Sequence, residues 1–109
     1  MNTPTIAEIV TFRLKEGTNA DDFTMAAGQM TAVLRSTGAL VSRSLSTDDA
    51  GLCADHLLWT TEAKAKQTAK AMFERPEAVP FMEMIDTTDM SMRHAKLALY
   101  YPPEQYAQN

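Results

Sequence analysis

Two histidines, His56 and His94, are the only ones in the sequence, and histidine is the side chain whose charge changes near neutral pH without help from its surroundings. An imidazole at the wall of an apolar cavity could accept a proton from a bound molecule, so both are candidate catalytic groups. Two histidines with no third ligand at metal-binding spacing do not make a metal centre, and no metal site is expected. Asp55 cannot serve His56 as a same-face partner, because successive residues of a strand point to opposite faces. His94 shares strand parity with Met90 and Met92 and follows the apolar Phe81–Ile85 segment, which makes it the more probable polar group of a cavity. The lone Cys53 lies in an apolar run and reads as a small buried hydrophobe rather than a nucleophile.

Other residues stand out by being unusual where they are. Trp59 is the single tryptophan, placed where a strand hands over to a helix. It reads either as a core anchor whose indole N–H finds a nearby carbonyl or as the wall of a pocket for a planar ligand. Glu8 interrupts an apolar strand face, and a buried carboxylate needs a partner; Arg93 or Arg13 could supply it. Eight methionines are many for 109 residues, and Met82, Met84, Met90 and Met92 gather around one loop. Their thioethers suit an irregular pocket or ordinary core filling equally well. If the hairpin after the first helix is symmetric about Asp49, Arg43 lies opposite Asp55 and Ser42 opposite His56, and the ion pair is a structural one.

The elements that must position these groups follow from periodicity. Period-2 runs at Ile6–Leu14, Leu40–Ser46, Leu52–Thr60 and Met90–Leu99 alternate with 3.6-period runs at Asp21–Ser36 and Glu62–Phe73. Thr18 or Asn19 is placed to cap the first helix and Thr60 or Thr61 the second, and Gly38 suits a left-handed C-terminal cap. Pro76 ends the second helix; Glu77–Ile85 reads as an extra short helical turn and Asp86–Asp89 as a polar loop. The resulting βαββαβ order is that of a ferredoxin-like α+β fold, a four-stranded antiparallel sheet with both helices on one face. The first strand is apolar on both faces, so something besides the helices must cover the sheet.

Length and composition bound the rest. The chain of 109 residues is expected to form a single domain, 1–109, with a core over about 5–99 and a C-terminal tail at 100–109 that starts where Pro102 and Pro103 end the last strand. A net charge of −4 argues against a nucleic-acid partner, which usually needs a basic stripe. No apolar run approaches the roughly 20 residues of a membrane helix. Met1–Thr5 lacks the basic start and apolar core of a signal peptide, so the expected location is the cytoplasm.

Three segments carry a family resemblance. Residues 6–17, IAEIVTFRLKEG, residues 55–63, DHLLWTTEA, and residues 76–82, PEAVPFM, resemble the dimeric α/β-barrel superfamily, and most of all proteins similar to the antibiotic biosynthesis monooxygenases, with the stress-responsive α/β-barrel proteins second. The resemblance covers residues 5–98. It implies a protomer whose sheet packs face to face on a second copy, closing a barrel and covering the outer face of the first strand. It also implies a choice of activities, among them cofactor-independent oxygenation of aromatic polyketides and haem degradation. The haem-degrading members use an Asn, Trp and His set. The first strand here supplies no Asn, and neither histidine falls where that set would place it.

Two functions are therefore open. One is a homodimeric, cofactor-independent oxygenase acting on a planar aromatic molecule, quinol- or polyketide-like, with no cofactor required. The other is a non-catalytic small-ligand-binding or stress-responsive dimer. In either case the ligand is expected in a cavity between sheet and helices, lined by some of Phe23, Met30, Trp59, Phe73, Phe81 and Met92, with His94 or His56 as proton acceptor.

Overall fold

The computed structural model describes residues 3–103. Strand β1 (Ile6–Leu14) leads to helix α1 (Ala20–Arg35), the hairpin of β2 (Leu40–Thr47) and β3 (Cys53–Trp59), helix α2 (Glu62–Met72), a 3₁₀ turn at Pro76–Ala78, the short helix α3 (Val79–Glu83) and strand β4 (Ile85–Lys96). The four strands form one antiparallel sheet in the order β2-β3-β1-β4. This is the ferredoxin-like arrangement the periodicity predicts. No helix among the described residues is long and apolar enough to cross a membrane. The expected tail falls partly at 104–109, which lie outside the described residues.

Local chemistry sets the helix starts. Asn19 accepts a hydrogen bond from the Asp22 amide at 3.0 Å, and Thr61 accepts one from the Lys64 amide at 3.1 Å. Each satisfies an orphan donor of the first turn, a contribution of about 1 kcal/mol. Phe23, Ala26, Ala27, Met30 and Leu34 line the buried side of α1, the stripe its three- and four-residue spacing requires.

The strands depart from expectation in two places. In the β2–β3 hairpin Arg43 faces Leu57 and Leu45 faces Asp55, a shift of two residues that moves the pivot from Asp49 to Ala50. The loop explains it: Asp48 Oδ1 accepts from the amides of both Ala50 and Leu52 at 2.9 Å, and Gly51 takes φ 88°. This Asx-type closure leaves Thr47 paired with Cys53. The second departure is β4, which begins at Ile85 rather than Met90 and ends at Lys96 rather than Leu99. Residues 86–89 are not a loop. Asp86 pairs with Arg13 and Ile85 with Leu14, after a bulge between Thr11 and Arg13. An edge strand with much of its length solvated carries polar residues freely, so alternation does not reveal it.

Register divides the sheet into two faces. Ile6, Glu8, Val10 and Phe12 of β1 and Cys53, Asp55, Leu57 and Trp59 of β3 are all buried beneath the helices. Ala7, Ile9 and Thr11, with Ala54, His56 and Leu58, point the other way. Ile9 and Leu58 are half-buried there and His56 is exposed. The helix-covered core is split. One cluster gathers Phe12, Phe23, Phe81, Ile85 and Cys53; the other gathers Ile6, Leu34, Leu57, Trp59 and Ala65. Met72 packs against both.

Candidate functional site

A cavity of about 80 Å³ occupies the gap between the two clusters. Its wall is mainly apolar: Val10, Phe12, Leu34, Leu57, Ile85 and a set of five methionines, Met30, Met72, Met82, Met90 and Met92. Phe73, 60% exposed, and Met92, 39% exposed, also line it, and these two stand where the cavity reaches the surface. Five groups in the wall are polar or carry a polar handle: Glu8, Arg43, Asp55, Trp59 and Thr68.

Arg43 and Asp55 neutralise one another. Arg43 Nε donates to Asp55 Oδ1 at 3.0 Å and its Nη2 to Oδ2 at 2.7 Å. Nη1 donates to the Ala27 carbonyl at 2.6 Å and to Thr31 Oγ1 at 2.9 Å, which fastens α1 to the β2–β3 hairpin. The guanidinium also lies 5.8 Å from the Phe81 ring centre, within cation–π range. Although Arg43 and Asp55 are diagonal and not opposite across the ladder, they pair, because the long guanidinium side chain spans that offset. Both side chains are over nine-tenths buried.

Glu8 is paired differently. Its Oε1 lies 3.0 Å from His94 Nε2, directly across the β1–β4 ladder. The partner is thus neither Arg13 nor Arg93; Arg13 instead reaches Asp89 and the Ala50 carbonyl. Burial pushes the Glu8 carboxyl above its ordinary value, against the opposing pull of the His94 hydrogen bond, and the nearby Asp55 charge pushes the same way. Trp59 is 1% exposed, and its indole Nε1 finds no hydrogen-bond partner among the described residues. The nearby carbonyl that a core anchor would use is not there.

The sequence-derived candidates fall into three groups. Met30, Trp59, Phe73, Phe81 and Met92 line the cavity. Phe23 does not: it is a core residue, stacked on Phe81 at 5.1 Å and edge-on to Phe12 at 5.6 Å. The histidines are also displaced from the cavity. His56 is exposed on the opposite face of the sheet, opposite Ile9 and Ser44, and His94 stands behind Glu8 rather than in the wall. Among the cavity residues that sequence reasoning left out, Glu8, Arg43 and Asp55 are the charged ones. The available signal was parity: each shares a face with residues already assigned to the core. No group of three or more His, Cys, Asp or Glu side chains among the described residues is arranged to hold a metal ion.

A mainly apolar cavity with a few convergent polar groups thus lies between the sheet and the helices of a ferredoxin-like protomer. No protein-family model and no curated protein matches the sequence. Solved structures do. A candidate antibiotic biosynthesis monooxygenase from Bordetella bronchiseptica superimposes with a TM-score of 0.70 at 14% identity, over 89% of this chain and 100% of that one. A point variant of SnoaB, a cofactor-independent oxygenase from Streptomyces nogalater, gives 0.70 at 9% identity over 93% of this chain and 100% of its own. A dimeric protein of unknown function with a ferredoxin-like fold, from Bacteroides fragilis, gives 0.60 at 11% identity, covering 89% and 100%. The chain therefore has the fold of antibiotic biosynthesis monooxygenase-like and dimeric ferredoxin-like proteins; at such identities the likeness is one of fold.

Proposed function

We propose that this protein binds a planar, mainly apolar aromatic molecule in the cavity beneath α1 and α2, and acts on it as a cofactor-independent oxygenase within a cytoplasmic homodimer. The observation that carries the binding reading is Trp59: a buried indole N–H without a partner costs about 1–3 kcal/mol, and an acceptor on a bound molecule would remove that cost. The cavity volume narrows the ligand. About 80 Å³ is far below the roughly 300–1,000 Å³ of sites for drug-sized ligands, so a single-ring quinol-like molecule is favoured over a fused polyketide. A larger planar ligand would require the methionines of the wall to repack, which thioether side chains do readily.

The oxygenase reading is supported by the apolar wall, which suits oxygen and excludes water, and by the fold shared with SnoaB. The homodimer reading is supported by Ile9 and Leu58 on the face the helices leave uncovered, and by the dimeric neighbours of like fold. Oxygen uptake tests the activity. A quinol and anthrone panel should give consumption that depends on protein concentration, together with quenching of Trp59 fluorescence. Quenching without oxygen uptake would leave the non-catalytic ligand-binding dimer as the function; neither signal would overturn the cavity reading altogether.

A further inference from the structure

The two carboxylates in the cavity wall differ in what remains of them. Asp55 has both oxygens engaged by Arg43, so its charge is balanced. Glu8 has Oε1 engaged by His94, while Oε2 makes no hydrogen bond among the described residues. Glu8 is 5% exposed, and it borders a mainly apolar space. His94 is the more exposed member of the pair, 13% against 7% for the side chains.

We propose that Glu8, with His94 behind it, receives the hydroxyl of the cavity ligand and takes its proton, so that the ligand is a weakly acidic hydroxyaromatic rather than a hydrocarbon or an aromatic acid. The inference rests on reading the cavity as an aromatic-ligand site, and it replaces the histidines with Glu8 as the group that touches the ligand. In the step, the ligand O–H bond breaks, its electron pair stays on the ligand oxygen, and the proton goes to the Glu8 carboxylate. His94 is a positioning residue, which holds the carboxylate and exchanges the proton with solvent. A carboxylate ligand is disfavoured because Arg43, the cation that the described residues place in the wall, is already neutralised.

The surrounding charges suit a base. Around Glu8 stand His94 of β4, Asp55 of β3 and Arg43 of β2, and their net effect together with burial is to keep the carboxyl above its ordinary value. A carboxylate so placed holds a proton more firmly than a solvated one. From α2, Glu62 feels the His94 charge. The other lining residues, among them Met30 and Leu34 of α1, Thr68 and Met72 of α2 and Phe81 of α3, bring no titratable group.

The test compares 4-nitrophenol, whose phenolate has its own absorption band, with 4-nitroanisole, which has the same ring and no hydroxyl. Trp59 quenching reads binding and the phenolate band reads ionisation across pH. The wild-type protein should bind the phenol about tenfold more tightly, equivalent to one hydrogen bond of roughly 1.4 kcal/mol. The bound phenol should ionise at lower pH than the free one. Glu8→Gln, whose amide oxygen can accept the hydroxyl hydrogen bond but not its proton, should lose the shift; Glu8→Leu should lose both the preference and the shift while keeping anisole binding; and His94→Gln should keep the preference and alter its pH profile. Equal affinity for the two probes in the wild type, a preference that survives in Glu8→Leu, or an ionisation shift that survives in Glu8→Gln overturns the proposal while leaving an aromatic site. Binding of neither probe overturns the aromatic site and this proposal with it.

Discussion

The indole N–H of Trp59 has no hydrogen-bond partner among the described residues, and the consequence can be measured without knowing the ligand. Trp59→Phe keeps an aromatic ring in the wall and removes the donor. It should weaken acceptor-bearing aromatic ligands about tenfold while changing the affinity of their hydrocarbon analogues little, as equilibrium titration would read. Glu8 gives a second prediction at this scale. Its carboxyl titrates above the ordinary value when folded, so between the two values the folded chain binds the extra proton and stability falls as pH rises. Glu62, Glu77 and Asp86 are held below their ordinary values and act the other way, so the Glu8 contribution is read as the difference between wild type and Glu8→Gln. From pH 4 upward the denaturant midpoint of the wild type should fall relative to that of Glu8→Gln, and a difference that does not change with pH would contradict the assignment. Glu8 was visible in the sequence as an anomaly on an apolar face. Its partner was not, because only strand order and register reveal that β4 lies beside β1 with His94 opposite.

Among the elements, the β2–β3 hairpin and α1 depend on one guanidinium. Arg43→Ala would strand the Asp55 charge in the interior, so a loss of about 3–5 kcal/mol is expected in denaturant unfolding. Removing both partners should cost less than the sum of the single changes. Additive losses would mean that the two side chains do not interact. The existence of this pair could be read from alternation on β2 and β3, since Arg43 and Asp55 share the face of Leu45, Cys53, Leu57 and Trp59. Its register could not, because Asp48 closes the loop through its side chain and shifts the pivot by one position. The start of β4 was equally hidden: Asp86, Thr87, Thr88 and Asp89 look like a loop, and only pairing with Arg13 and Leu14 makes them a strand. Helix ends, by contrast, were legible to within a residue or so, because Asn19 and Thr61 act through short-range chemistry.

For the whole molecule, the ferredoxin-like order of elements followed from periodicity alone, while the shape of the cavity depended on how the two halves of the core meet. The uncovered sheet face makes assembly testable. Sedimentation at micromolar concentration should give twice the chain mass, and Ile9→Asp, which places a charge on that face, should return the monomer; a monomeric wild type would end the barrel reading. The gap between the clusters has a further consequence. Unfolding eliminates internal voids, so the unfolded state occupies less volume and is favoured by hydrostatic pressure. A chain whose core surrounds an open cavity should therefore unfold at modest pressure, and an occupant that fills the space should raise the midpoint. High-pressure unfolding thus offers a label-free screen in which the correct molecule announces itself by making the protein harder to compress.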